Sequence, residues 1–231
     1  MKKFEGLERD LGDFDARTEW SAYGGLDTAS VEALAVEFYR RLKLDPERPV
    51  DTFRLARLLL GRDAIERGTA IVGALAKVYT VNGQRRIAVS RKATVEYAQF
   101  YVGHELGHIV LDELGYREDD VERICDMFGA AVMAPIPAVR AMLRIFGRDH
   151  AAIADELVST QTHAALRVAE CLGIPRAIIT PSRVYARGPE EFVWGPEDEL
   201  RKLARRTRPG VVRAKLTDDP RRVLIDVEDV G

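Results

Sequence analysis

Residues 101–115 read YVGHELGHIVLDELG. The segment is apolar on nearly every side of a helix, yet His104, Glu105 and His108 stand in its middle. Such a helix belongs in a core, where a carboxylate between two imidazoles is costly unless a cation or a partner meets it. Four residues of α-helix turn the chain by about 400°, so His104 and His108 lie one turn apart on one face and can close on a single ion. Nitrogen ligands at this separation suit tetrahedral Zn²⁺. Glu105 is turned about 100° away from His104, too far round to chelate comfortably beside them. It is placed instead to reach a water on the metal and take its proton. The spacing therefore makes His104 and His108 the expected ligands of one zinc ion and Glu105 the expected general base.

A catalytic zinc takes three protein ligands and keeps one position open. In one large class, HExxHxxGxxH, the third is a distal histidine; here those positions hold Leu111 and Leu114, which excludes that class. Glu122 is the expected third ligand, from the next helix, and Asp126 lies four residues later on the same face. Asp126 can accept the second N–H of a zinc-bound histidine and so fix its tautomer and ring plane. Asp119 and Asp120 are rivals for the third place, and Asp119–Glu122 also reads as a capping box that would use Glu122 on a backbone donor. Cys125 reads as a core residue and is the only other approach to a fourth ligand, which favours an open position. Asp112, one turn past His108, reads either as a partner of the site or as a solvated residue. A tyrosine or histidine donor to an oxyanion is expected, with Tyr79, Tyr97, Tyr101 and Tyr116 all open. His150 and His163 read as exposed or capping residues.

Around this motif the chain reads as a mainly helical α+β protein. Helices are expected at 28–44, at 52–60 behind an N-cap at Asp51, at 94–114, at 121–134, and as a pair at 149–158 and 161–172. Strands are expected at 70–80 and 86–90, joined through Asn82-Gly83, a strong hairpin signal. Pro135 and Pro137 read as a stop after the 121–134 helix. The expected layout is a charged N-terminal tail at 1–25, a zincin-like peptidase domain at 26–145, a helix-turn-helix-like pair at 146–181, and an appendage at 182–231. The appendage is expected to hold strands at 183–187, 191–194, 211–216 and 222–227 and one basic helix near 197–206.

HELGHIVLD at 104–112, followed by ERICDMFGAAVMAP at 122–135, resembles the ImmA/IrrE-type metallopeptidases. Their pattern is a HELGH helix and then Glu-x-x-Ala-Asn/Asp-x-Phe-Ala leading into an apolar stretch with a Met-Pro-like stop. Pro49-Val50-Asp51 ahead of RLARLLLG, the hairpin, and the helical pair are similar to the rest of the family's layout, over about residues 30–180. Cys125 stands where Ala is usual, Asp112 where a His often follows the motif, and Ala134 before the terminal Pro. The resemblance implies His104, His108 and Glu122 as zinc ligands, Glu105 as base, and Asp126 in the Asn/Asp place. It further implies a protein substrate, a transcriptional repressor, in this family often a helix-turn-helix protein, cut under stress or during mobile-element induction.

Composition narrows the classes without deciding among them. A formal charge of -2 gives no global pull toward nucleic acid or an anionic membrane. Two distant cysteines and an N-terminus without an apolar h-region are what a cytoplasmic protein is expected to carry. No apolar run reaches the ~20 residues of a membrane helix. Arg201, Lys202, Arg205, Arg206 and Arg208 form one local basic stripe. With the helical pair, it keeps a second reading open: a zinc-containing regulator or DNA-binding protein that does not cut.

Overall fold

A computed structural model describes residues 28–69, 71, 74–174, 176–179, 184–187, 212–216 and 223–227. The chain divides into two compact units. One runs to Ala141 and takes in Asp155–Thr160; the other comprises Met142–Ala154 and the chain from Gln161. The expected tail at 1–25, the strand at 191–194 and the basic helix at 197–206 lie outside the described residues.

In the first unit, α1 (Thr28–Arg41) and α2 (Thr52–Leu60) precede a three-stranded sheet. The Asp51 side chain accepts the Arg54 N–H at 2.8 Å and caps α2, whose end is marked by Gly61 at φ 104°. The sheet is β1 (Ile65–Thr69), β2 (Ala76–Val81) and β3 (Gln84–Ser90), in the order β1-β3-β2. β2 and β3 form the expected hairpin, with Asn82 at φ 51° and Gly83 at φ 74° supplying the left-handed pair its two-residue turn requires. β1 was not expected: its sequence, IERGT, alternates too weakly to read as a strand, and its parallel pairing to β3 is a long-range contact.

The long helix α3 (Val95–Glu113) and α4 (Val121–Met133) follow, and both pack into one core with α1, α2 and the sheet. Tyr39, Leu55, Ile87, Leu106, Leu111, Ile124 and Phe128 are its largest fully buried side chains, and Phe38 meets Phe128 edge-on at 5.6 Å. Thr52 is tied to α3 through Gln99: its N–H donates to Gln99 Oε1 at 2.7 Å, and its hydroxyl lies 2.7 Å from both the Gln99 carbonyl oxygen and Oε1, with one proton to give. α4 stops ahead of Pro135, as the prolines predict, and a further helix that the sequence did not announce, α5 (Ile136–Phe146), begins directly after it. Pro137 is its second residue, where a backbone N–H has no intrahelical acceptor and none is lost.

The expected helical pair is α6 (His150–Glu156) and α7 (Gln161–Leu172). In the second unit α7 lies against a four-stranded antiparallel sheet of β4 (Arg176–Ile179), β5 (Val184–Arg187), β6 (Val212–Leu216) and β7 (Val223–Val227), in the order β5-β4-β7-β6. Three of these strands stand where the sequence places them; β4 is additional. No single helix among the described residues is long and apolar enough to cross a membrane.

Candidate metal centre

The three side chains paired by sequence spacing meet in space. His104 Nε2 lies 3.1 Å from His108 Nε2 and 3.3 Å from Glu122 Oε2, and His108 Nε2 lies 3.4 Å from Glu122 Oε1. Among the described residues these form the one group of His, Cys, Asp or Glu side chains close enough to hold a metal ion together. His104 Nδ1 is 2.8 Å from Asp126 Oδ1. If Nδ1 carries the proton toward that carboxylate, Nε2 presents a lone pair to the other donors.

This donor set fits a zinc ion. Ligands ~2.0–2.1 Å from a tetrahedral ion stand about 3.3 Å from one another, and the three observed separations cluster at that value. Two imidazole nitrogens and a carboxylate are also the borderline-soft mixture zinc accepts. Electrostatics point the same way. Burial works against a proton on His104, but the hydrogen-bonded Asp126 carboxylate, with Glu105 and Glu122 nearby, outweighs it and raises the pKa. A field that favours a proton at this ring also favours a cation.

Three glycines let the two helices approach closely enough. A Cβ on Gly103 would come 3.0 Å from the Gly129 carbonyl oxygen, one on Gly107 3.1 Å from Cys125 Cα, and one on Gly129 2.8 Å from the His104 nitrogen. The close contact of α3 and α4 thus sets Glu122 and Asp126 opposite His104. Cys125 is fully buried in this seam, where burial pushes its thiol pKa far up, with the carboxylates of Glu122, Glu105 and Asp126 adding to the rise.

Glu105 is only 9% exposed, and its Oε2 accepts the Val78 N–H of β2 at 2.7 Å. Asp112 pairs with Arg85 and with Arg117, the latter at 2.6 Å, and so ties α3 to β3 and to the following loop. The capping box is not formed. Asp120 makes no side-chain cap; it accepts the Tyr116 hydroxyl at 2.6 Å and pairs with Arg123 at 2.5 Å. These contacts hold its carboxyl below the usual range although burial alone would raise it. Asp120 is therefore committed elsewhere, and Glu122 is the first-turn carboxylate that meets the histidines.

The group sits in a cleft of about 1320 Å³ walled by β2, α3 and the start of α4. Of the four open tyrosines, Tyr101 and Tyr116 line it. Tyr116 is buried with its hydroxyl on Asp120, and the Tyr79 hydroxyl is given to Glu66 at 2.5 Å. The backbone donor at Val78, the glycine seam and the Arg85–Asp112–Arg117 chain were not read from the sequence. Only the glycines left a signal there: Gly103 and Gly107 are spaced by one turn on an apolar helix.

The family model described as IrrE N-terminal-like domain, of peptidase family M78, matches residues 72–175. This stretch of the chain is similar to an IrrE N-terminal-like domain. The match covers the hairpin, the helix with both histidines, the helix with Glu122 and Asp126, and the helical pair. The family is one of metallopeptidases, in agreement with the resemblance in HELGH and the Glu122 helix. No curated protein is significantly similar in sequence to the chain. Among solved structures, the chain is similar in fold to a Mycobacterium tuberculosis transcriptional regulator, with a TM-score of 0.54 and 12% identity over 86% of this chain and 76% of that one.

Proposed function

We propose that the protein is a zinc-dependent endopeptidase in which His104, His108 and Glu122 hold the ion and Glu105 is the general base. The observation that carries this reading is the set of three donor separations between 3.1 and 3.4 Å beside a buried carboxylate in a cleft. When bound, zinc supplies a Lewis acid that polarises a carbonyl and acidifies water. Asp126 keeps the His104 ring in the tautomer and plane that present Nε2. Glu105 takes the proton of the attacking water and returns it to the leaving amine. The free edge of β2 offers backbone groups to which an extended peptide can pair beside the site.

The substrate in this reading is a protein, and more finely a helix-turn-helix transcriptional repressor cut in the cytoplasm during a stress or mobile-element response. Support for the finer class comes from the family resemblance and from a structural neighbour titled a transcriptional regulator. Metal analysis of the purified protein, wild type against Glu122→Ala, tests the ligands, with one zinc per chain expected in the first and little in the second. Mapping of new protein N-termini in cells carrying wild type or Glu105→Gln tests the chemistry. Cleavage sites present with both would remove Glu105 from the role of base. Salt-dependent DNA binding indifferent to Glu105→Gln, with no cleavage, would favour a zinc-containing regulator instead.

A further inference from the structure

The Glu105 carboxylate is held by a donor that no side chain provides. Val78 lies on β2, an outer strand of its sheet, opposite Ile87. Residues of an antiparallel ladder alternate between bonding their partner strand and turning both backbone groups outward. The Ser90 N–H bonds the Leu75 carbonyl at 2.8 Å, which puts residues 75, 77, 79 and 81 in the ladder. Val78, like Ala76 and Thr80, therefore turns its N–H and carbonyl to the free edge, and the Val78 N–H ends 2.7 Å from Glu105 Oε2.

We infer that the main-chain amide of Val78 is the positioning donor for the base. The inference rests on the reading of Glu105 as general base. A buried side-chain oxygen needs a hydrogen-bond partner, and the Val78 N–H is the one that Glu105, 9% exposed, meets among the described residues. The bond is charge-assisted, takes up one oxygen, and leaves the other to receive a proton. It also restrains a side chain with three rotatable torsions, which is the preorganisation that proton transfer at a fixed site demands. The same edge of β2 carries the backbone groups available to an extended peptide. One rigid strand thus sets the separation between base and bound peptide. Any residue except proline supplies an amide, so no motif at position 78 could announce it.

Amide hydrogen exchange on the zinc-loaded full chain, followed by NMR, tests the bond without any need for activity. The Val78 amide of wild type should exchange at least about 10-fold more slowly than in Glu105→Ala, while Lys77 and Tyr79, inside the ladder, keep their protection in both. A Val78 amide that exchanges equally fast in the two proteins overturns the inference. A second arm reads function with a mixed pool of quenched-fluorescent peptides and checked zinc content. Val78→Pro removes only an N–H that points away from the ladder, a change edge strands tolerate. It should lower cleavage about 10- to 100-fold, whereas Val78→Ala, which keeps the N–H, should lower it far less; equal losses overturn the inference. Wild type that binds zinc and cleaves nothing, with Val78 protection dependent on Glu105, would overturn the peptidase reading while upholding the bond.

Discussion

His104 Nδ1 and Asp126 Oδ1 are 2.8 Å apart, across the seam between two helices. The bond leaves Nε2 directed at His108 and Glu122, and in the proposed reading Asp126 orients the ring without being a ligand. Truncation to Asp126→Ala should weaken zinc binding by about 10- to 100-fold. The carboxylate is more than half exposed, so the fold should survive its loss. Competition against a chromogenic chelator measures the affinity, and an unchanged value would remove Asp126 from this role.

Gly129 is the tightest point of the α3–α4 seam, since a Cβ there would stand 2.8 Å from the His104 backbone nitrogen. Backbone cannot swing aside as a side chain can. Gly129→Ala gains about 1 kcal/mol of helix propensity, but forcing a well-packed interface apart costs about 1–3 kcal/mol. The expected outcome is a lower melting temperature together with weaker zinc binding, because Glu122 and Asp126 retreat from His104. A melting temperature that rises with zinc affinity intact would show that the seam yields freely.

Much of this architecture is legible where local physics decides it. The Asn82-Gly83 turn, the Asp51 cap and the one-turn spacing of His104 and His108 each follow from a few adjacent residues, and the structure has them in place. The misses share a different cause. β1 exists through its pairing with β3, about twenty residues on, and not through its own pattern. α5 was hidden because Pro137 breaks a helix interior but not a first turn. The Val78 donor is a backbone group and leaves no trace in side-chain identity. Asp112 reads either as a partner of the histidines or as solvated; its carboxylate pairs with the distant Arg85 and the neighbouring Arg117, which no local pattern announces.

Cys125 is fully buried between Glu122 and Asp126 in sequence, and burial raises its thiol pKa. The thiolate is the reactive form. Iodoacetamide at neutral pH should therefore leave Cys125 unmodified in the folded protein and alkylate it only after denaturation, as peptide mass mapping can follow. Prompt native alkylation at Cys125 would mean that the seam opens or that the thiol is ionised.

Tyr39 is fully buried, with its hydroxyl donating to the Val132 carbonyl at 2.8 Å and accepting the Val50 N–H at 3.1 Å. One phenol thus fastens α1, the approach to α2 and the end of α4. Tyr39→Phe leaves a buried carbonyl and a partly buried N–H without that partner, at a cost of about 1–3 kcal/mol. Burial also pushes the phenol pKa up to about 12. The unfolded chain releases this proton near pH 10, so between about pH 10 and 12 the folded state binds more protons than the unfolded one, and stability falls as pH rises. Below that window the contribution is fully present. Urea unfolding at pH 8 and pH 11 should therefore show wild type losing more stability than Tyr39→Phe over the interval, narrowing the gap between them. Parallel losses in the two proteins would mean that Tyr39 keeps its proton equally well in both states, and that its hydroxyl is less enclosed than these bonds require.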